Sequence, residues 1–174
     1  MILALSLARS GRTDEAGRLA DEASQEAPLD TIVQRYFVPT VRAAVKLQQH
    51  DPAAAIDLLR GTVQYDLAFT DSFDYLYPAY IRGLAYLESG DGRSAAGEFQ
   101  KLIDNPGMSW DYITGPLARL QLGRAQRLMG DNASARNSYE EFLSIWKDAD
   151  PDLPVFRQAK AEYAELSTSL NRTD

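Results

Sequence analysis

The chain has 174 residues, 45% of them hydrophobic and 25% charged, an ordinary globular composition that suits one domain with no need of covalent or metal staples. It has no cysteine and a single histidine, His50, which excludes thiol chemistry, iron–sulfur clusters and multi-histidine metal sites. With 18 basic against 25 acidic residues the formal net charge is −7, which argues against a broad nucleic-acid surface.

In chain order, residues 2–8 form a short apolar run with no basic stretch before it and no small-residue cleavage site after it. This predicts the tail of an amphipathic helix rather than a signal peptide, and points to a piece of a longer protein. No run approaches the roughly 20 apolar residues of a membrane span, so no membrane contact is expected. A cytoplasmic location follows, with the periplasmic or extracytoplasmic part of a larger membrane protein as the alternative.

A rhythm of about forty residues runs through the chain. Gly11, His50, Gly90 and Gly130 are each followed five positions later by alanine: Ala16, Ala55, Ala95 and Ala135. Twelve residues before each alanine stands a small residue, Ala4, Ala43, Gly83 or Gly123. Four residues after each stands an apolar one, Ala20, Leu59, Phe99 or Tyr139. The units fall at about 1–28, 31–66, 75–106 and 113–149, within one domain spanning 1–174, and each reads as helix, tight turn, helix. Gly90 suits the left-handed residue that ends a helix, and Asp91 the cap of the next; Asp51 and Asp131 share that column. In the first unit Thr13 is the expected cap. His50 stands where the other units have glycine, which predicts a strained turn. Gly83 and Ala95 are expected to meet where two antiparallel helices come closest.

Residues 31–49 predict a long helix kinked near Pro39. Pro78 and Pro116 fit opening turns, and Pro28, Pro106 and Pro151 close units. A last helix at about 154–168 carries Phe156, Ala159, Tyr163 and Leu166 on one stripe. Arg157, Lys160, Glu162 and Glu165 lie on the opposite, charged face, as expected of a capping element.

The segments ALSLARSGRTDEAGRLA, TVRAAVKLQQHDPAAAIDLL, AYIRGLAYLESGDGRSAAGEF and RLQLGRAQRLMGDNASARNSY resemble the tetratricopeptide repeat (TPR) family. The period is longer than the usual 34 residues, the excess lying between units, and the early signature Trp is absent. YLYPAYIRGLAYLESGDGRSAAGEFQKLIDNPG and FLSIWKDADPDLPVFRQAKAEYAEL further resemble the C-terminal TPR region of bacterial eukaryotic-like serine/threonine kinases or winged-helix regulators. The resemblance implies an all-α, TPR-like right-handed superhelix of antiparallel helix–turn–helix repeats with a C-terminal capping helix. It also implies a concave groove lined by the first helix of each pair: Thr40, Ala44 and Gln48; Tyr77, Tyr80, Leu84 and Glu88; Leu120, Arg124 and Arg127. Arg124 and Arg127 can pair with an acidic peptide.

Each of these residues has a plainer alternative. Tyr77, Tyr80 and Leu84 can pack between units, as can Tyr36, Phe37, Phe73, Tyr75, Trp110 and Tyr112, and the arginines can pair within the chain. Asp148, Asp150 and Asp152 open like a calcium loop, but Leu153 stands where glycine is needed and Ala159 where a bidentate Glu is needed. Glu140 and Glu141 fall on neighbouring sectors of a helix, and Asn132-Ala-Ser134 and Asn171-Arg-Thr173 are chance-prone glycosylation patterns. The chain has no Gly-rich phosphate loop, no catalytic His-Arg-Asp and no Asp-Phe-Gly. No catalysis and no cofactor are therefore expected. The expected role is a non-catalytic protein–protein interaction module of a signalling or regulatory protein, with a protein or peptide as partner. The alternative is a self-association module that makes a homodimer of an attached kinase or DNA-binding domain.

Overall fold

The computed structural model of the protein describes residues 2–68, 76–109 and 113–170. Among them the chain is all-helical, with no strand. The helices are α1 (Ile2–Arg9), α2 (Thr13–Glu26), α3 (Val38–Gln48), α4 (Pro52–Leu59), α5 (Tyr77–Glu88), α6 (Gly92–Asp104), the short α7 (Pro106–Ser109), α8 (Thr114–Leu128), α9 (Asn132–Ile145) and α10 (Pro154–Leu170). No helix among the described residues is long and apolar enough to cross a membrane. Phe73, Tyr75, Trp110, Tyr112, Asn171 and Thr173 lie outside the described residues.

The four expected joints share one geometry. Gly11, His50, Gly90 and Gly130 have φ of +85°, +56°, +83° and +80°. In each, that residue's N–H donates to the carbonyl three residues back, and the next N–H to the carbonyl five back: Gly90 to Leu87 at 3.1 Å and Asp91 to Tyr86 at 2.9 Å. This pair satisfies carbonyls that the helix end would leave open. Asp51, Asp91 and Asp131 then cap the following helices, each accepting from the backbone N–H three residues on at 3.0–3.1 Å. Thr13 does not act as the first cap: it is already helical, and the cap position belongs to Arg12, whose side chain holds Glu15 instead.

His50 is the one L-residue among these four turns, and a β-carbon in the left-handed region costs about 1–2 kcal/mol. Allowing for the extra entropy of unfolded glycine, His50→Gly is expected to stabilise the fold by roughly 0.5–1 kcal/mol, read as a raised urea midpoint with unchanged slope.

Helices adjacent in the chain pack on one another, and α1, α3, α5 and α8 also lie side by side. Small residues set the separations. A β-carbon on Gly83 would stand 2.7 Å from the Phe99 ring, and one on Gly123 would stand 3.1 Å from the Tyr139 ring. The expected partner of Gly83, Ala95, is fully buried, but it is the aromatic four residues further along α6 that seats against the glycine. The residues before Pro39 are helical, as expected, and the irregularity takes a definite form. Val33–Phe37 makes a π-turn, in which the Val38 N–H reaches the Val33 carbonyl. Pro39 has no N–H for the preceding turn, so the ladder is already broken there. The Thr40 hydroxyl donates back to the Tyr36 carbonyl at 2.5 Å. Pro106 stands just past the end of α6 at Asp104 and opens the short α7.

The connection after α4 continues as a 3₁₀ helix, Arg60–Tyr65. It leads to Asp66, which is buried with Arg82 of α5. The Arg82 guanidinium donates to Asp66 at 2.5 Å, to Glu98 of α6 at 2.6 Å and to the Thr62 hydroxyl at 2.9 Å. Lys101 closes the set, 2.7 Å from Asp66 and 3.1 Å from Glu98. No motif announces this cluster in the sequence. Buried charges persist only when paired in this way, and the cluster fastens the connection onto α5 and α6.

In α10 Phe156, Ala159 and Leu166 of the expected stripe are buried, and Tyr163 is half-buried against the core. The expectation for Glu162 is corrected: it turns inward from the charged face, because Arg124 of α8 faces it.

Candidate functional site

The ends of the first-in-pair helices converge on one hollow of about 640 Å³. Its floor is apolar, with Ala44, Leu47, Ile81, Leu84 and Leu87; its rim is polar, with Arg9, Gln48, His50, Glu88, Gln121, Arg124 and Gln158. These side chains come from α1, α3, the turn after it, α5, α8 and α10, so elements near both ends of the described chain reach the same space.

Five of the ten residues proposed from the sequence line this hollow: Ala44, Gln48, Leu84, Glu88 and Arg124. Arg127 lines an adjacent hollow with Leu128, Tyr139, Glu162 and Glu165. The other four are corrected. Thr40, Tyr80 and Leu120 have no exposed surface and Tyr77 is buried, so these belong to the core and not to the groove. They fall one helical turn too deep, where the first helices press on their neighbours. Four lining residues escaped the sequence reading on the rim: Arg9, His50, Gln121 and Gln158. Arg9 stands two residues before its turn, as Gln48 and Glu88 do, and that shared position was its signal.

The electrostatics differ from the simple picture of two free arginines. The Arg124 fork grips Glu162 of α10 with two bonds, 2.9 and 2.8 Å. The Tyr139 hydroxyl donates to the same carboxylate at 2.7 Å. Burial alone would raise the Glu162 pKa, but the hydrogen bonds from Arg124 and Tyr139 outweigh it and hold the carboxyl below its usual range. Burial and the Glu162 bond together push the Tyr139 hydroxyl up to about 12. Arg127 stands 3.9 Å from Glu165, a looser and more exposed pair. At the other side of the hollow His50 Nδ1 and Glu88 Oε1 are 3.0 Å apart on an exposed rim. Arg9 lies over the face of Tyr80, its guanidinium carbon 5.5 Å from the ring centroid. Among the described residues no cluster of His, Asp and Glu could hold a metal ion.

The sign of the Glu162 linkage follows from its lowered folded pKa. The contribution is present above the unfolded value of roughly 4.3 and is lost as pH falls through the folded value. Glu162→Gln is therefore expected to destabilise the protein at neutral pH, with the gap to the wild type closing below about pH 4. Urea unfolding of both proteins across a pH series checks this; a gap that stays constant into acid would contradict it.

Compared with known protein families, with curated proteins and with solved structures, the chain finds no match in any of the three.

Proposed function

We propose that the chain is a non-catalytic interaction module, a TPR-like right-handed superhelix whose hollow takes a segment of a partner protein. The observation that supports this most is the hollow itself: an apolar floor under a polar rim, assembled from helices far apart in the sequence. A rim of arginine, glutamine, glutamate and histidine around leucines offers both directional bonds and a place to bury apolar side chains. The buried aromatics stabilise this frame and do not touch the partner. The module would serve a larger signalling or regulatory protein.

The test is selection of short random peptides displayed on phage against the wild type and against Gln48→Trp, which fills the hollow from an exposed position. Peptides that bind the wild type are expected to lose at least tenfold in affinity on the variant. Peptides that bind both alike, or a library that yields no binder, would refute the groove reading.

A second reading, self-association, rests on a separate feature. Ile2 and Leu3 of α1 are 44% and 65% exposed, and Leu3 borders an apolar hollow of about 220 Å³ with Leu19, Val33, Phe37 and Val41. On this reading sedimentation shows a concentration-dependent dimer that Leu3→Asp abolishes; a strict monomer removes it.

A further inference from the structure

We infer, building on the groove reading above, that the groove binds an internal acidic stretch of peptide and that Arg9 is the residue that reads its carboxylate. Of the two arginines on the rim, Arg124 is already occupied: its fork is satisfied by Glu162, and an incoming acid would have to displace a carboxylate that is itself only 17% exposed. Arg9 is different. It is exposed, and among the described residues no carboxylate pairs with it. Its guanidinium is steadied by the face of Tyr80, which is itself locked by an edge-on contact with Phe99 at 5.8 Å. A guanidinium held over a ring still has N–H donors to offer a carboxylate.

The charge balance around the hollow points the same way. On the rim Arg124 is taken up by Glu162 and Glu88 lies 3.0 Å from His50, so Arg9 is the rim charge left without a charged partner among the described residues. An exposed cation with no carboxylate beside it is a ready partner for an acidic side chain.

The rest of the rim argues for an internal stretch rather than a chain end. Gln48 and Gln158 stand exposed on two different helices, and a carboxamide both donates and accepts. That is what a peptide backbone needs where it enters and leaves a site. Leu84 and Leu87 on the floor suit an apolar side chain beside the acid.

The experiment uses the intact chain and the phage-selected peptides. A selected peptide is synthesised with both ends blocked, and again with its acidic residue changed to the matching amide. The wild type is expected to prefer the acid by about tenfold, and that preference should weaken with added salt. It should vanish in Arg9→Gln and persist in Arg9→Lys, while all three proteins melt alike because Arg9 is exposed. Acid and amide peptides that bind equally, a preference that survives Arg9→Gln, or binding that requires a free C-terminal carboxylate would each overturn the inference. If the peptides bind without acid preference but still fail on Gln48→Trp, the groove reading stands and only the role of Arg9 falls. If binding is indifferent to Gln48→Trp, both fall.

Discussion

Arg82→Ala is expected to destabilise the protein by about 3–5 kcal/mol, the cost of leaving buried charge without its partner. The substitution strips Asp66 of its guanidinium while its carboxylate remains 3% exposed, and removes the cation nearest Glu98. Lys101 alone must then serve both acids, from a position that is 25% exposed. For a chain of this size the loss corresponds to a fall in Tm of roughly 10 °C. A paired change separates the charge effect from simple loss of packing. Arg82→Met with Asp66→Leu removes both ions and fills the space with apolar groups, so it is expected to recover most of the stability. The prospect of recovery is favoured by imperfections in the cluster, since among the described residues Asp66 Oδ1 and Arg82 Nε have no hydrogen-bond partner. If the double replacement is as unstable as Arg82→Ala, the charges contribute more than fastening.

Phe99→Ala is expected to cost a similar amount, about 3–5 kcal/mol, by opening a cavity at the centre of the α5–α6 pair. The ring has no exposed surface, touches Tyr80 edge-on and fills the space that Gly83 leaves vacant. Because glycine and ring occupy one shared volume, their substitutions must couple. Gly83→Ala on its own forces the ring to shift and costs about 1–3 kcal/mol. Combined with Phe99→Leu, whose shorter side chain frees that volume, it should cost less than the two single effects added together. Urea unfolding of the four proteins gives the coupling directly. Strict additivity would mean that the two residues do not share space.

The helical architecture and its joints were legible in the sequence because each joint depends on one residue in a special backbone conformation. Gly11, Gly90 and Gly130 declare such a conformation by residue type, and His50 by its place in their column. The groove was only half legible, for a geometric reason. Thr40, Tyr80 and Leu120 share one column and are all fully buried; Ala44, Leu84 and Arg124, four residues on, line the hollow; Gln48 and Glu88, a further four on, form its rim. Each four-residue step rotates a side chain by about 40° and carries it one turn along the axis. Residues on one nominal face therefore run from core to rim, and the column pattern alone does not say where the neighbouring helices close over them. The pairing of Arg124 with Glu162 was illegible because it joins residues 38 apart across two helices. The buried Arg82 cluster was hidden for the same reason, drawing Asp66 from an irregular connection that has no periodicity to read.

The four left-handed turns have a kinetic consequence. Each is closed by hydrogen bonds spanning no more than five residues, so a helical hairpin can begin to order around any of them before distant parts of the chain have met. Loop-closure entropy thus weighs little on the early steps. The contacts Asp66 to Lys101 and Arg124 to Glu162 join residues 35 and 38 apart and therefore demand longer searches than the turns do.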